Sequence, residues 1–287
     1  MKISEIKRLL EAHRIRLTKS LGQNFLHDSN QLRKVVRVAE LVPSDKVLEI
    51  GPGLGPLTEL LAGEAGEILA IEKDARLLGL LQERFDETKE SGMNTKASRL
   101  SFVHDDALEY LKRERVDWSN WKLVSNLPYS VASPILVELA QAERGPRRIV
   151  VTLQLEVAKR LMARAGERDY GVLTLLVQLE YSPESSFKIP ASCFYPEPDV
   201  DSACVCLVRR AEPLLAISQK DVFAKVVKRS FSQRRKKMIK LLKEEWPLPK
   251  LEKAFQHLNL AMQARAETIS LEQFAQLTLE LSPPPRK

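Results

Sequence analysis

From Lys46 onward, short apolar runs rich in β-branched residues alternate with longer stretches in which apolar residues recur at helical spacing. This alternation predicts a doubly wound α/β fold with a mostly parallel sheet. The predicted strands are KVLEI (46–50), EILAIE (67–72), LSFVH (100–104), KLVSN (122–126) and RIVVTLQ (148–154). Helices are predicted between them at 58–62, 75–87 and 134–141.

The second half of the chain predicts a change of architecture. Apolar runs at 172–180 and 201–210 predict two further strands, whereas polar residues 88–98 predict a surface loop. After Pro213 only helical patterns occur, at 222–243, 250–257 and 271–281. We therefore expect an α/β domain over residues 1–210 and a small all-α domain over 211–287.

The distribution of charged residues changes at the same boundary, near residue 210. Residues 1–210 carry 30 Lys or Arg against 30 Asp or Glu, whereas 211–287 carry 15 against 8. The net charge of +7 therefore lies in the second part. A local basic excess suits a phosphate-rich partner, because binding releases the counterions of that partner. A solvated basic face without a partner is the alternative.

Cysteine usage and the N-terminus indicate a reduced, cytosolic protein. In the strand predicted at 201–210, Cys204 and Cys206 share one face, which favours buried thiols over metal ligands. With Cys193 they make an odd set of three, and no histidine lies near enough in sequence to complete a zinc site. We expect no metal and no membrane span. The first 17 residues have helical spacing and lack the apolar core of a secretion signal.

A glycine-rich turn follows the first predicted strand. In EIGPGLGPLT (49–58), Gly51 and Gly53 allow a tight turn and a close approach of the backbone to a ligand. Glu72 ends the next strand, where a carboxylate can accept both hydroxyls of a ribose. A nicotinamide dinucleotide would favour GxGxxG, but here the spacing is GxGxG and Pro52 and Pro56 remove amide donors. The turn resembles the first motif of class I methyltransferases, which use S-adenosylmethionine.

The tip of the fourth strand carries the candidate chemistry. Asn126, Leu127, Pro128 and Tyr129 follow it at the carboxyl edge of the sheet, where open α/β sheets bind ligands. The N6 amine of adenine is a poor nucleophile because its lone pair is delocalised into the ring. The side-chain oxygen of Asn126 and the main-chain oxygen of Leu127 could accept the two amine hydrogens, and Tyr129 could stack on the base. In isolation such a turn is more often an ordinary loop.

Taken together, these motifs resemble those of the ribosomal RNA adenine N6,N6-dimethyltransferases, over nearly the full length of the chain. The segments that carry the resemblance are KSLGQNFLHD (19–28), EIGPGLGPLT (49–58), IEKD (71–74), DDAL (105–108), NLPYSVASPI (126–135), QLEVAKRL (154–161), SCFYPEPDVDSA (192–203), FSQRRKKM (231–238) and RAETISLEQF (265–274). The resemblance is strongest to the enzymes of the small ribosomal subunit. It implies a Rossmann-like class I methyltransferase sheet with a C-terminal helical domain, acting as a monomer in the cytoplasm.

The resemblance also implies roles for individual residues. The cofactor site comprises Asn24, Leu26, Gly51, Gly53, Glu72, Asp106 and Asn126, with Asp106 binding the adenine amine of the cofactor. Asp105 is the alternative helix cap. Phe194 is expected to stack on the target base opposite Tyr129, although an ordinary core aromatic is the other interpretation. Lys73 departs from the family pattern, in which many members have an apolar residue.

Nine basic residues crowd into Lys225–Lys243, and one continuous helix there would place Lys228, Arg235 and Lys236 on one surface. The match at FSQRRKKM gives RNA contacts to Arg234, Arg235, Lys236 and Lys237. We expect 16S rRNA, within the small subunit or its precursor, to be the partner. The alternatives are a resistance methylase acting on large-subunit RNA, a DNA adenine methylase, and a non-catalytic assembly or transcription factor of the same fold.

Overall fold

A computed structural model describes residues 1–17, 22–90, 99–233 and 235–283. The chain divides into two compact units. The first contains Met1–Ala158 and Pro183–Arg209, and the second contains Lys159–Ser182 and Arg210–Lys287. The division at Arg210 lies where the sequence predicts a boundary. The inclusion of Lys159–Ser182 in the second unit differs from the prediction of one domain over 1–210.

Parallel strands form most of the sheet, as the alternation of strands and helices predicts. Within the described residues the strands are β1 (Phe25–Leu26), β2 (Lys46–Ile50), β3 (Glu67–Glu72), β4 (Arg99–His104), β5 (Trp121–Asn126), β6 (Arg148–Gln154), β7 (Tyr181–Ile189), β8 (Phe194–Tyr195) and β9 (Ser202–Arg209). Seven of them form one sheet in the order β4-β3-β2-β5-β6-β9-β7. Strands β4, β3, β2, β5 and β6 are parallel, and β9 is antiparallel to β6. The predicted fold class is therefore confirmed.

Among the described residues, helices connect the strands of the first unit, and further helices make up most of the second unit. They are α1 (Ile3–Ala12), α2 (Ser29–Val38), α3 (Pro56–Ala62), α4 (Ala75–Glu90), α5 (Ala107–Arg113), α6 (Ala132–Gln141), α7 (Leu155–Met162), α8 (Val172–Gln178), α9 (Lys220–Ser230), α10 (Met238–Leu242), α11 (Leu248–His257) and α12 (Leu271–Leu281). One apolar core cluster joins β2, β3, β5, β6 and β9 to α2 and α3. Burial of these strands explains why they are continuous apolar runs in the sequence. No helix of the described residues is long and apolar enough to cross a membrane.

Strands β1 and β8 form a separate antiparallel pair. Phe25 lies opposite Tyr195, and Leu26 lies opposite Phe194. The ring of Phe25 packs with Ile6 and Leu10 of α1, which are buried as the helical spacing of the N-terminus predicts. This pair brings the N-terminal segment and residues 194–195 together from distant parts of the chain.

The predictions at 172–180 and 222–243 are wrong. The first run forms α8, whose residues Thr174–Val177 are buried, and an apolar run buried on all sides has no period that separates helix from strand. The second run is interrupted: α9 ends at Ser230 and α10 begins at Met238. In the interruption the Ser232 hydroxyl donates to the Arg229 carbonyl at 2.8 Å, a local bond that competes with a continuing helix.

The structure also bears on the predicted loop and on the thiols. Helix α4 extends to Glu90, so the first residues of the loop predicted at 88–98 are helical, and 91–98 lie outside the described residues. The interpretation of Cys204 and Cys206 as buried thiols is confirmed, since they are 1% and 0% exposed. Among the described residues no cluster of His, Cys, Asp and Glu could hold a metal ion.

Candidate active site

A cleft of about 790 Å³ opens at the carboxyl ends of β2, β3, β4 and β5. Part of this volume is open to solvent, and the carboxyl edge of an open α/β sheet is the usual place for a small-molecule ligand. Eight of the residues that the sequence singles out line the cleft, namely Asn24, Gly51, Gly53, Glu72, Asp106, Asn126, Leu127 and Pro128. Because all four strands end at the same edge, residues far apart in the sequence meet there.

The glycine turn after β2 brings two walls of the cleft together. Gly51 and Gly53 have φ angles of 69° and 61°, a left-handed conformation that favours glycine. A Cβ on Gly51 would lie 3.0 Å from the Pro128 ring, and one on Gly53 would lie 2.7 Å from the Phe25 ring. Side chains at these positions would therefore push away the turn after β5 and the strand β1.

Glu72 is held in place by the backbone of the turn. Its two carboxylate oxygens accept the Gly53 and Asp74 N–H groups at 3.1 and 2.9 Å. Burial raises the pKa of Glu72, while these backbone bonds act in the opposite direction. A carboxylate has about four acceptor positions, so both oxygens can still accept ribose hydroxyls. This geometry fits the ribose of an adenosine-containing cofactor.

Asp106 both lines the cleft and caps α5. Its Oδ1 accepts the Leu108 and Glu109 N–H groups at 2.9 and 3.3 Å, so the helix cap is Asp106 and not the alternative, Asp105. Its Oδ2 accepts Lys73 Nζ at 2.7 Å, and this bond lowers the pKa of Asp106. Asp105 instead pairs with Arg113 at 2.6 Å. The capping bonds fix the Asp106 carboxylate at the wall where an adenine amine could reach it.

Asn126 has a defined amide orientation. Its Nδ2 donates to the Asn24 carbonyl at 2.9 Å, and its Oδ1 accepts the Thr152 hydroxyl at 2.5 Å. The Asn24 carbonyl can only accept, so it determines which side of the amide is nitrogen, and the Thr152 hydroxyl then donates to the oxygen. An amide oxygen accepts two hydrogen bonds, and one acceptor position of Oδ1 remains for a substrate amine. Thr152 is a residue that sequence reasoning missed, because its role depends on the β5–β6 register that places it opposite Asn126.

The aromatic residues lie apart from the cleft wall. Tyr129 is half-buried, its hydroxyl lies 2.6 Å from Ser202 Oγ, and burial raises its pKa. Phe194 is 2% exposed in the main core cluster, beside Leu26, which is also 2% exposed. Leu26 lines a smaller adjoining chamber rather than the cleft. The structure therefore places Phe194 where its core interpretation expects it, with no face open to a base.

Sequence reasoning also missed several residues of the cleft wall. Gln23 holds the N-terminal segment at the cleft, since its side-chain amide donates to Asp74 at 3.0 Å. The other missed lining residues are Gly22, Phe25, Ile50, Ile71, Leu77, Ala107, Ser130 and Val131. Gln23 lies within KSLGQNFLHD (19–28), one of the segments that carry the family resemblance. Its place in that segment could have identified it as a site residue.

The basic segment of the second unit forms a loop between α9 and α10. Arg235, Lys236 and Lys237 are exposed, and Arg234 lies outside the described residues. At the start of the loop the ring of Phe231 lies 6.1 Å from those of Tyr170 and Phe274. At its end the buried Met238 donates its N–H to the Ala264 carbonyl at 2.9 Å. The loop is thus anchored at both ends, although it is not the continuous helical face that the spacing predicts.

A parallel Rossmann-like sheet, a glycine turn and an acid after the second strand of that sheet define a class I methyltransferase. Comparison with known proteins identifies the family: residues 14–282 match the sequence profile of ribosomal RNA adenine dimethylases. The chain belongs to this family of S-adenosylmethionine-dependent rRNA methyltransferases.

Relatives agree over almost the whole chain. Ribosomal RNA small subunit methyltransferase A of Geobacillus kaustophilus is 39% identical, covering 96% of this chain and 95% of the relative. The protein of the same name from Clostridium perfringens is 37% identical, covering 97% of each.

Two solved structures are also similar. A dimethyladenosine transferase from Plasmodium falciparum has a TM-score of 0.75 at 25% identity, covering 89% of this chain and 96% of that one. The 23S rRNA methyltransferase ErmE has a TM-score of 0.67 at 29% identity, covering 90% and 99%.

Proposed function

We propose that this protein transfers methyl groups from S-adenosylmethionine to N6 of adenines in small-subunit (16S) rRNA. The targets are two adjacent adenines near the 3′ end, and each is dimethylated during ribosome assembly. The relatives of 37–39% identity, named for the small subunit, support this substrate over large-subunit RNA. The observation that carries the chemistry is the Asn126 amide, which Thr152 and Asn24 hold with one acceptor position free at the cleft.

The cofactor supplies a methyl group activated by a positively charged sulfur. Glu72 binds the ribose hydroxyls, Asp106 accepts the adenine amine of the cofactor, and Asn24 and Gly51 line the remaining wall. Leu26 closes the neighbouring chamber. These residues match an adenosine-containing ligand in size and hydrogen bonding, and Pro52 and Pro56 leave few amides for a pyrophosphate.

Asn126 and Leu127 activate the target amine. The Asn126 oxygen and the Leu127 carbonyl accept hydrogen bonds from the two N–H groups of this amine. These bonds stabilise the positive charge that develops on nitrogen, so no strong general base is required. The Leu127 peptide is fixed because its N–H donates to the Thr152 carbonyl at 3.1 Å. Pro128 packs against Gly51 and so couples this turn to the cofactor wall.

Tyr129 supplies the stacking surface for the unstacked base. Its hydroxyl bond to Ser202 restrains the ring. The stacking role of Phe194 requires its ring to leave the core cluster when substrate binds. Substitution of Phe194 therefore tests the aromatic clamp, by which we mean the stacking of the target base between Tyr129 and Phe194.

Arg234, Arg235, Lys236 and Lys237 contact phosphates of the rRNA. Three of them are exposed on the anchored loop, and the basic excess of residues 211–287 supports this assignment. We further propose that the protein acts as a monomer in the cytoplasm, where its three free cysteines stay reduced.

One side-by-side assay tests the proposal. S-adenosylmethionine with a labelled methyl group is offered with immature small subunits, mature small subunits, large-subunit rRNA and duplex DNA. We expect label in small-subunit rRNA, strongest in the immature particle, with two methyl groups on each target adenine. Label in large-subunit rRNA alone would favour a resistance-type methylase, for which the similarity to ErmE is the specific observation. Label in DNA alone, or in no substrate, would contradict both.

A further inference from the structure

A smaller chamber of about 290 Å³ adjoins the cofactor cleft. The two share Phe25, Gly51 and Asn126 in their walls. The smaller chamber also contains Glu49, which the catalytic proposal does not use. Glu49 therefore lines the same chamber as Gly51 of the glycine turn and Asn126, to which the proposed function assigns the target amine.

Glu49 is buried, and no cation of the described part of the chain acts on it. It is 1% exposed, and its Oε2 has no hydrogen-bond partner among the described residues. The charged group that acts on it from the neighbouring strand β3 is another acid, Glu72, while α3 contributes the uncharged Thr58. On β5 the Ser125 hydroxyl is engaged with the backbone of Ile50, the residue that follows Glu49.

Such surroundings oppose the carboxylate form. A buried carboxyl without a cation favours its neutral form, and a second carboxylate nearby adds to this preference. Burial raises the pKa of Glu49 to about 8, the Thr58 hydroxyl lowers it, and the charge of Glu72 raises it further. In the free protein at neutral pH, Glu49 therefore holds a proton.

We propose that Glu49 senses the charge of the cofactor: it releases its proton to solvent when S-adenosylmethionine binds and regains one when the demethylated product remains. The methyl donor has one net positive charge, and the product S-adenosylhomocysteine has none. A positive charge beside the chamber stabilises the Glu49 carboxylate, and loss of that charge removes the stabilisation. Glu49 thereby favours donor over product, which assists product release. This inference rests on the proposed cofactor site and not on the identity of the RNA.

Calorimetry tests the proposal without turnover. Each ligand is titrated into the full-length protein near pH 7, in two buffers with different heats of ionisation, so that the difference gives the number of protons released. We expect binding of S-adenosylmethionine to release close to one proton per protein molecule, and binding of S-adenosylhomocysteine to release far less. Donor affinity should rise by up to about tenfold per pH unit below the pKa of Glu49, because the free protein must lose a proton to bind.

The variant Glu49→Gln keeps the shape of the side chain and removes its titration. We expect it to bind the donor with no proton release and with a flat pH dependence. Glu64→Gln, at an exposed position after α3, is the matched control and should behave as wild type. Thermal unfolding of both variants checks that they fold, and the comparison of the two ligands on wild type requires no variant.

Equal proton release for the two ligands, or wild-type proton release from Glu49→Gln, would overturn the proposal. Failure to bind either ligand would overturn the cofactor site as well. Proton release as expected, combined with no methylation of small-subunit rRNA, would contradict the proposed substrate and leave the inference standing.

Discussion

We propose that the chemistry depends on Asn126. Replacing it by Ala removes the amide oxygen that we assign to the target amine, as well as the hydrogen bond to Asn24. We predict that Asn126→Ala lowers kcat by about 10²–10³, the usual effect of losing one transition-state hydrogen-bonding group. A labelled-methyl assay measures the loss, and circular dichroism checks the fold. Unchanged turnover would remove Asn126 from the mechanism.

Thr152 should act on the reaction through Asn126, as a positioning residue. Thr152→Val keeps the volume of the buried side chain but removes the hydroxyl that orients the amide. We predict that kcat falls by about tenfold, equivalent to roughly one hydrogen bond, while KM for RNA changes little. Thr152→Ser should restore most of the rate. Equal losses in the Val and Ser variants would point to packing instead of orientation.

Phe194 tests the aromatic clamp. Phe194→Leu keeps an apolar side chain in the core cluster but leaves a cavity where the ring packs, so the free energy of unfolding should fall by about 1–3 kcal/mol. If the ring stacks on the target base, kcat/KM should fall by roughly tenfold or more, since stacking contributes about 1–3 kcal/mol per base. Wild-type kcat/KM at a similar stability would assign Phe194 to the core alone.

Among individual residues, those of the motifs could be predicted from the sequence, whereas their hydrogen-bond and packing partners could not. Glu72, Asp106 and Asn126 follow strands, and the carboxyl edge of a parallel sheet brings strand ends together. Thr152 is an ordinary polar residue in the sequence, and its role depends on strand register. The burial of Phe194 depends equally on its pairing with Leu26 across β1 and β8.

Among the elements of the chain, the loop between α9 and α10 is the one to which we assign the RNA contacts. Neutralising Arg234, Arg235, Lys236 and Lys237 to Gln should weaken RNA binding at low salt. Because each lost phosphate contact reduces the salt slope by about 0.7–0.9, four contacts would reduce it by about 3. Binding titrations at several salt concentrations measure the slope. Lys253→Gln, exposed on α11, is the control, and identical slopes for the fourfold variant and wild type would contradict the assignment.

Helices and strands could be predicted where the spacing of their apolar residues was distinct. Strands β2, β3 and β6 match their predicted bounds, and α12 does so in the second unit. Helix α8 was mistaken for a strand because its apolar residues are continuous. The break after α9 was missed because the basic residues on either side continue the helical spacing, whereas the local bond of Ser232 ends the helix.

At the scale of the whole molecule, a buried ion cluster connects distant parts of the first unit. Lys122 Nζ lies 2.8 Å from Asp45 and donates to the Ala39 carbonyl at 3.0 Å, and Arg147 also pairs with Asp45. Lys122 is the first polar position of a predicted strand, and nothing in the local pattern indicates that it is buried. The spacing of apolar and polar residues along the chain does not indicate long-range partners of this kind.

Removing the Lys122 charge should destabilise the first unit. Lys122→Met leaves Asp45 buried with less compensation, and breaking such a pair usually costs about 3–5 kcal/mol. Thermal unfolding should show a lower Tm, and adding Asp45→Asn should recover part of the loss. A double variant whose losses simply add would contradict the coupling.

The same cluster gives a pH dependence with a definite sign. Burial acts to raise the pKa of Asp45, but the hydrogen bonds and charges of Lys122, Val42 and Arg147 outweigh it, so the folded-state pKa is lowered. A carboxyl with a lowered pKa contributes stability above its unfolded pKa and loses it as pH falls through the folded pKa. Unfolding of wild type should therefore become easier with acid below about pH 4, and this acid sensitivity should be smaller in Asp45→Asn.

The most direct test of the account is to digest small-subunit rRNA after incubation with the protein and S-adenosylmethionine, and to identify the methylated nucleosides by mass spectrometry. We predict N6,N6-dimethyladenosine at two adjacent positions near the 3′ end with wild type, and none with Asn126→Ala. Methylation at another atom or base, or the same dimethylated product from the Asn126 variant, would contradict it.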